Sequence, residues 1–413
     1  MEPKDIAAFF ADEKNISRED YLFFDYIFEC SIDPKLAAAQ LCSEQSTAQW
    51  QRAGVDEDLR LRFGAKVVAL EILSTSKKSR CDFPWIRGNH FTLCRVRVAH
   101  PHRNFGPRIP NLLSAMAGEG PFYCPGISTI RLCDIHFPES YLKLFEGPQF
   151  GVRGLRERLK IHDRPFFIGV VKPNIGLAPG DFAQLAFESW VGGCDIVKDD
   201  EMMADAEWSK TAERMRFAGT ARKNAEKETG RPKMLVANLT DEVDEIERLY
   251  EEAEKNGANA VMLNSLFTGI SALRMLRRKS KLPVMGHFTG LALFERMSHF
   301  GIDGVVLTKL QRLSGADMIV LPGFGERMQM TDESVLKNIC ACLEPMGNIA
   351  PALPIPGGSD AADTFPRVLE KIGHVDFGFI AGRGIYGHSG GPRAGARSLR
   401  HAWEKATASP PPL

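Results

Sequence analysis

The 413-residue sequence has no excess of either charge: 52 Lys and Arg face 52 Asp and Glu, and the formal net charge is zero. Without a basic surplus, bulk phosphate attraction does not hold a chain on nucleic acid. Without an acidic surplus, it is not a solvating, disordered chain. No stretch approaches the ~18 consecutive apolar residues that a membrane-spanning helix needs. The N-terminus, MEPKDIAAFFADEKN, carries acids early and lacks an apolar core followed by a small-residue cleavage site, so no secretory signal is expected. The nine cysteines are odd in number and contain no Cys-x-x-Cys pair. A disulfide framework and a zinc ribbon are both disfavoured, and reduced thiols in a cytoplasmic protein are expected. No Gly-x-Gly-x-x-Gly opens the first α/β unit, which counts against a dinucleotide fold.

What is there is ordinary globular material, 44% apolar and 25% charged, enough for a sizeable core. Residues 1–140 mix strand-like runs (Tyr21–Cys30, Ala65–Ile72, Phe91–Ala99, Ile127–Phe137) with helix-like ones (Pro34–Leu41, Ile109–Ala117). That mixture predicts an N-terminal α+β domain. In residues 141–413 the texture becomes strict alternation from about residue 165. The apolar runs are Phe166–Lys172, Asp195–Asp199, Met234–Leu239, Ala260–Asn264, Pro283–His287, Met318–Leu321, Ile349–Ile355 and Phe377–Ala381. Amphipathic segments separate them, among them Glu207–Lys227, Ile270–Lys279 and Ala292–Phe300. Strands apolar on both faces imply a parallel sheet, and eight βα units predict a (β/α)₈ barrel, with an open doubly wound sheet as the competitor.

A barrel's active site lies at the C-terminal ends of its strands. There the second run delivers Lys198-Asp199-Asp200-Glu201. Asp200 and Glu201 offer the hard oxygens that Mg²⁺ prefers, and a lysine that takes up CO₂ as a carbamate adds a third; the plain alternative is a solvated charged loop. Lys172 ends an apolar strand, where a lysine serves as a general base, forms a Schiff base, or snorkels to water. His287 ends the fifth strand and is either catalytic or a satisfied core residue. Glycine turns follow strands seven and eight, at Gly357-Gly358 and Gly382-Arg383-Gly384. They are either simple turns or a phosphate cradle, with Arg383 adding charge.

The runs Gly169-Val170-Val171-Lys172-Pro173-Asn174 and Gly193-Cys194-Asp195-Ile196-Val197-Lys198-Asp199-Asp200-Glu201 resemble, in sequence and spacing, two signature blocks of the ribulose bisphosphate carboxylase large subunit. The segment from Cys42 to Trp50 resembles the one that a neighbouring subunit inserts into that family's site. The resemblance implies a ferredoxin-like N-terminal domain, a (β/α)₈ TIM barrel, and a homodimer whose sites receive the Glu44, Trp50 and Glu119 segments from the neighbouring chain. It implies a carbamylated Lys198, Mg²⁺ on Lys198, Asp200 and Glu201, Lys172 as enolising base, and His287 against the substrate. Gly357, Gly358, Gly382, Arg383 and Gly384 would hold a phosphate.

The departures from that family are equally specific. Asn174 stands for a second strand-one lysine, Phe288 for a phosphate-gripping arginine, Val320 for a histidine and Pro356 for a serine. Glu119 stands for an asparagine, and Glu326, with Arg327 beside it, for the lysine of the mobile loop. Glu44, that lysine's usual partner, would then face a carboxylate. The pattern is similar to the RuBisCO-like proteins (form IV), and most to their branch in photosynthetic bacteria. It implies an enolase or isomerase of a phosphorylated, sulfur-linked compound and no bisphosphate carboxylation. A non-catalytic regulatory or scaffold dimer and a metal-free Schiff-base enzyme are the alternatives.

Overall fold

A computed structural model describes residues 1–81 and 85–408. The chain forms two compact units. One holds residues 1–145, 291–310 and 346–348; the other holds 146–290, 311–345 and 349–413.

The first unit is built on β1 (Tyr21–Cys30), β2 (Lys66–Ser76), β3 (Phe91–Pro101) and β4 (Ile127–His136). Helix Pro34–Glu44 follows β1, and helix Ile109–Ala117 precedes β4. β1 lies antiparallel between β3 and β4, and β2 pairs with β3 on the far side. This β-α-β-β-α-β order with β4-β1-β3-β2 pairing is the expected ferredoxin-like arrangement. Helix Pro34–Glu44 starts where Asp33 accepts hydrogen bonds from the Lys35 and Leu36 N–H groups and Pro34 takes the first turn.

The second unit carries β5 (Phe166–Val170), β6 (Ile196–Lys198), β7 (Met234–Asn238), β8 (Ala260–Leu263) and β9 (Val284–Gly286). After β10 (Gly301–Ile302), which pairs with β4 of the first unit's own sheet, come β11 (Met318–Pro322), β12 (Leu353–Gly357) and β13 (Gly378–Ala381). The eight parallel strands run β12-β11-β9-β8-β7-β6-β5-β13. The barrel is nearly closed, and the chemistry of β12 explains its open seam. Leu353 N–H bonds Asp317 O and Gly357 O accepts from Gly323 N–H, so the odd positions of β12 face β11. The even positions face β13, and they are Pro354 and Pro356, which have no N–H to give.

Side-chain alternation sorts the apolar residues into two cores. Phe166, Ile168, Val170, Ile196, Met234, Val236, Met262, Met285, Met318, Val320 and Ile355 fill the barrel interior. Phe167, Val197, Leu235, Ala237, Val261, Leu263 and Phe379 face the helices. Each large side chain so buried contributes roughly 1.5–3 kcal/mol. Helix Thr211–Thr229 stops at Gly230, whose φ of +64° suits glycine alone without strain.

The helix expected over Ala292–Phe300 is shorter, Leu291–Glu295, and the fifth strand's main helix is Gly304–Leu313. The reason is burial. Val306, Leu307, Leu310 and Leu313 are buried, whereas Leu293 is 78% exposed and Met297 68%.

Candidate active site

The alternation that builds the interior also aims the site. Lys198 shares the parity of Ile196, His287 that of Met285, Val320 that of Met318 and Lys172 that of Val170, so all four belong to the inward set at the strands' C-terminal ends. Asp199 has the opposite parity and meets the helices. Its carboxylate takes Arg214 Nε at 3.0 Å and Nη2 at 3.2 Å, plus the Asn238 N–H at 3.1 Å. Both charged residues are fully buried. Of the three acids in this string, Asp199 is therefore an anchor to the helix layer, whereas Asp200 and Glu201 pair with Lys172 and Lys198.

A cavity of about 280 Å³ is lined by Lys172, Asn174, Lys198, Glu201, His287, Phe288 and Val320. Arg327, Met328, Gly357, Gly358, Ser359, Gly382 and Arg383 line it too, with Val170 and Ile380. Lys172 Nζ donates to Asp200 Oδ2 at 2.5 Å and to Asn174 Oδ1 at 2.8 Å. Lys198, with no exposed surface, donates to Asp199 O at 2.7 Å and Glu201 Oε2 at 3.1 Å. Asn238 and Asn264 both donate to the Glu201 carbonyl, at 3.2 and 2.9 Å, and hold the acidic string in place.

Burial pushes the His287 ring down to about 3, and the neighbouring Lys198 charge adds to this. Its Nδ1 meets Thr289 Oγ1 at 2.6 Å, and its ring stacks on Phe288 with centroids 4.9 Å apart. The 3.4 Å approach of its Nε2 to Glu201 Oε2 is thus made by a neutral ring. Burial is the largest single influence on Glu201 and raises it, but the Lys198 charge and hydrogen bond, with smaller contributions from its other neighbours, together outweigh it and hold the carboxyl at about 2.

Among the described residues no three His, Cys, Asp or Glu side chains gather to hold a metal. The set has two carboxylates, and Lys198 as an ammonium is a donor, not a ligand. A carbamate on Lys198 would reverse its charge and give three anionic oxygens, which suits Mg²⁺. The residues present fit that group.

The other expected residues divide. Gly357, Gly358, Gly382 and Arg383 line the cavity, whereas a Cβ on Gly384 would stand 2.6 Å from the Asp360 carbonyl, so that glycine serves a backbone contact behind the wall. Of the loop after β11, Arg327 and not Glu326 reaches the cavity, and its Nη1 donates to Ser359 Oγ at 2.8 Å. The cavity therefore meets a cation where a carboxylate was expected. Sequence spacing gave no signal for this, because one residue of loop register decides it. Ser359, at φ +80°, is a non-glycine residue in the left-handed region beside the two glycines. In the first unit, Trp50 lies under the Arg60 guanidinium at 4.2 Å, and Glu44 and Glu119 are exposed.

Residues 10–141 match the N-terminal domain of the ribulose bisphosphate carboxylase large chain, and residues 151–410 match its catalytic domain. The chain is 57% identical over 412 residues to the ribulose bisphosphate carboxylase-like protein of Allochromatium vinosum, covering 99% of this chain and 90% of that one. It is 52% identical to that of Chlorobaculum tepidum, over 98% and 93% of the two chains. A 3-oxo-isoapionate-4-phosphate transcarboxylase/hydrolase of Xanthobacter autotrophicus is 32% identical over 94% of each chain. The crystal structure of a rubisco-like protein from Burkholderia fungorum superposes with a TM-score of 0.87 at 29% identity, covering 95% of each chain. Relatives in photosynthetic bacteria are thus among the most similar. The chain belongs to the ribulose bisphosphate carboxylase large-chain family, and within it to the RuBisCO-like proteins.

Proposed function

We infer that the protein enolises a phosphorylated carbonyl compound, as a Mg²⁺-dependent enolase or isomerase and not a bisphosphate carboxylase. One observation carries this: one cavity gathers two chemically different sets of groups. One set is Lys172 with Lys198, Asp200 and Glu201. The other is Arg327 and Arg383 with the glycines Gly357, Gly358 and Gly382, and among the described residues neither arginine has an ion-pair partner. Two guanidiniums beside glycine turns suit one phosphoryl dianion. Phe288, Val320 and Ile380 add apolar lining, with Phe288 and Val320 where the family's bisphosphate enzymes grip charge. That lining favours an apolar substituent, a thioether included, over a second phosphate. The phosphorylated substrate of the Xanthobacter relative is in keeping with this reading.

Lys198 (carbamylated), Asp200 and Glu201 would hold Mg²⁺, which when bound supplies charge stabilisation to a developing enolate. Lys172 takes the proton α to the carbonyl, with Asn174 fixing its amine. His287, neutral, donates or accepts one hydrogen bond to a substrate oxygen without adding charge. The protein acts as a homodimer in the cytoplasm. Exposed Ile175, Met202, Val243 and Phe267 sit on loops that follow the first four barrel strands, an apolar rim suited to cover by a second copy. The Glu44, Trp50 and Glu119 segments of that copy would reach this rim. All nine cysteines are free thiols, in keeping with a reducing compartment.

The test is solvent deuterium exchange by NMR, with Mg²⁺ and bicarbonate in D₂O, against a panel of sugar phosphates that includes methylthio-substituted ones. α-Proton exchange that disappears in Lys172→Ala supports the reading. No exchange on any compound, with no Mg²⁺ binding by calorimetry, overturns it.

A further inference from the structure

Among the described residues, three that are not glycine sit at positive φ: Lys160, Gln329 and Ser359. Lys160, at +55°, follows helix Gly151–Leu159, where a left-handed residue commonly closes a helix. The other two stand on either side of one contact. Gln329, at +52°, closes the loop after β11, and its N–H bonds Glu326 O at 3.1 Å. Ser359, at +80°, follows the two glycines that end β12. It is exposed, so no packing around its side chain fixes this backbone, and glycine or asparagine would adopt it with less strain. Strain kept at an exposed residue beside a cavity points to a role in the site.

The loop and the turn interlock through neighbouring residues. Arg327 Nη1 donates to Ser359 Oγ at 2.8 Å, and among the described residues the guanidinium has no other hydrogen-bond partner and no ion pair. Beside it, Met328 packs over Gly358, where a Cβ would stand 2.4 Å from Met328 Cγ. At the base of the loop, Gly323 N–H bonds Gly357 O at 2.9 Å. Arg327, Met328, Gly358 and Ser359 all line the cavity. The bond to Ser359 does not neutralise Arg327, which keeps its charge and its remaining N–H donors for a ligand. A long, exposed arginine loses rotamer freedom when a ligand fixes it, and a contact that already holds it lowers that cost.

We propose that Ser359 is a positioning residue for anion binding: its left-handed backbone places Oγ where it holds the Arg327 guanidinium at the cavity before the phosphoryl group arrives. This rests on the reading of Arg327, Arg383 and the glycine turns as an anion site. Ser359 acts through Arg327, so its effect on affinity depends on that arginine being present.

Sulfate is the probe, because it is a dianion that brings no titration of its own. Titration calorimetry on the full-length protein reads its affinity, and scanning calorimetry reads Tm. Ser359→Gly relieves the backbone strain while loosening the unfolded chain, so Tm should stay within about 2 °C. Its sulfate affinity should nevertheless fall about fivefold or more, as a hydrogen bond to a charged group is lost. Ser359→Asn tolerates the left-handed backbone and offers Arg327 an amide oxygen, so affinity should stay within about twofold. In Arg327→Met sulfate should bind more weakly, and adding Ser359→Gly should cost nothing further. Unchanged affinity in Ser359→Gly overturns the Ser359 proposal and leaves the anion site standing. So does a Ser359→Gly loss that is just as large in the Arg327→Met background, or a Ser359→Asn loss equal to that of Ser359→Gly. No sulfate binding by the unmodified protein overturns both.

Discussion

Asp199 and Asp200 are adjacent, chemically identical and almost equally buried, yet the same substitution should cost far more stability at one than at the other. Asp199→Asn leaves the Arg214 guanidinium with no counter-charge. Arg214 has no exposed surface, and its remaining acceptors are neutral: Ser209 O and the Ser209 and Thr211 hydroxyls. An amide also presents an N–H₂ to either the guanidinium or the Asn238 N–H, so one contact becomes donor against donor. Breaking a buried pair by removing one partner costs about 3–5 kcal/mol. For a unit of about 250 residues that lowers Tm by about 10 °C. Asp200→Asn strands Lys172 instead, but that side chain is 28% exposed, keeps Asn174 as an acceptor, and can turn to water. Its cost should stay within about 1 kcal/mol, or 2–4 °C. Scanning calorimetry on the two variants, without metal, measures both. Equal Tm losses, or a loss below 2 °C for Asp199→Asn, would refute the division of the acidic string into one anchor and one working carboxylate. Asp199→Asn with Arg214→Met should recover part of the loss, since the uncompensated cation is then gone.

Two further outcomes follow from the geometry. A Cβ at Gly382 would stand 3.1 Å from Lys172 Cε, while φ at this residue is −82°, so Gly382→Ala strains no backbone and crowds the base. Stability should change by under about 1 kcal/mol, while α-proton exchange falls about tenfold or more. An unchanged exchange rate would count against Lys172 as the base. His287, held near 3 in the folded chain against an ordinary 6.5, stays neutral from pH 8 to 5, so its ring proton shifts should be flat in a pH-titrated NMR series. The unfolded chain binds the proton first as pH falls through 6.5. This residue alone therefore makes the fold about 2 kcal/mol less stable at pH 5 than at pH 7, and His287→Gln should remove that slope. A His287 midpoint above pH 5 contradicts the burial argument.

The strands and their order were legible because burial on both faces writes near-continuous apolar runs, and the helices between them write a different period. Strand ends drifted by a residue or two where the expected runs reached Lys172, Asp199 and Leu239, although Asp199 N–H still bonds Val236 O and Leu239 N–H bonds Met262 O just past the regular strands. The stretch 291–310 misled for a physical reason: the amphipathic segment Ala292–Phe300 points its apolar side chains outward, and the residues after it supply β10 and the packed helix. The sulfur of the proposed substrate class came with the family resemblance. The apolar lining of Phe288, Val320 and Ile380 is what the fold adds to it.

Alternation along β6 already separates Lys198 and Asp200 from Asp199, since side chains two apart share a face whatever the fold around them. To that extent the sequence by itself determined which residues enter the barrel and which meet the helices. It did not determine what each would touch. That Arg214 neutralises Asp199 from 15 residues away and that Arg327 rather than Glu326 turns to the cavity are decided by loop register and by helix packing. Local pattern fixes the direction of a side chain. Its protonation state and its partner depend on charges and buried surface brought from distant parts of the chain, and only the folded barrel puts those within reach.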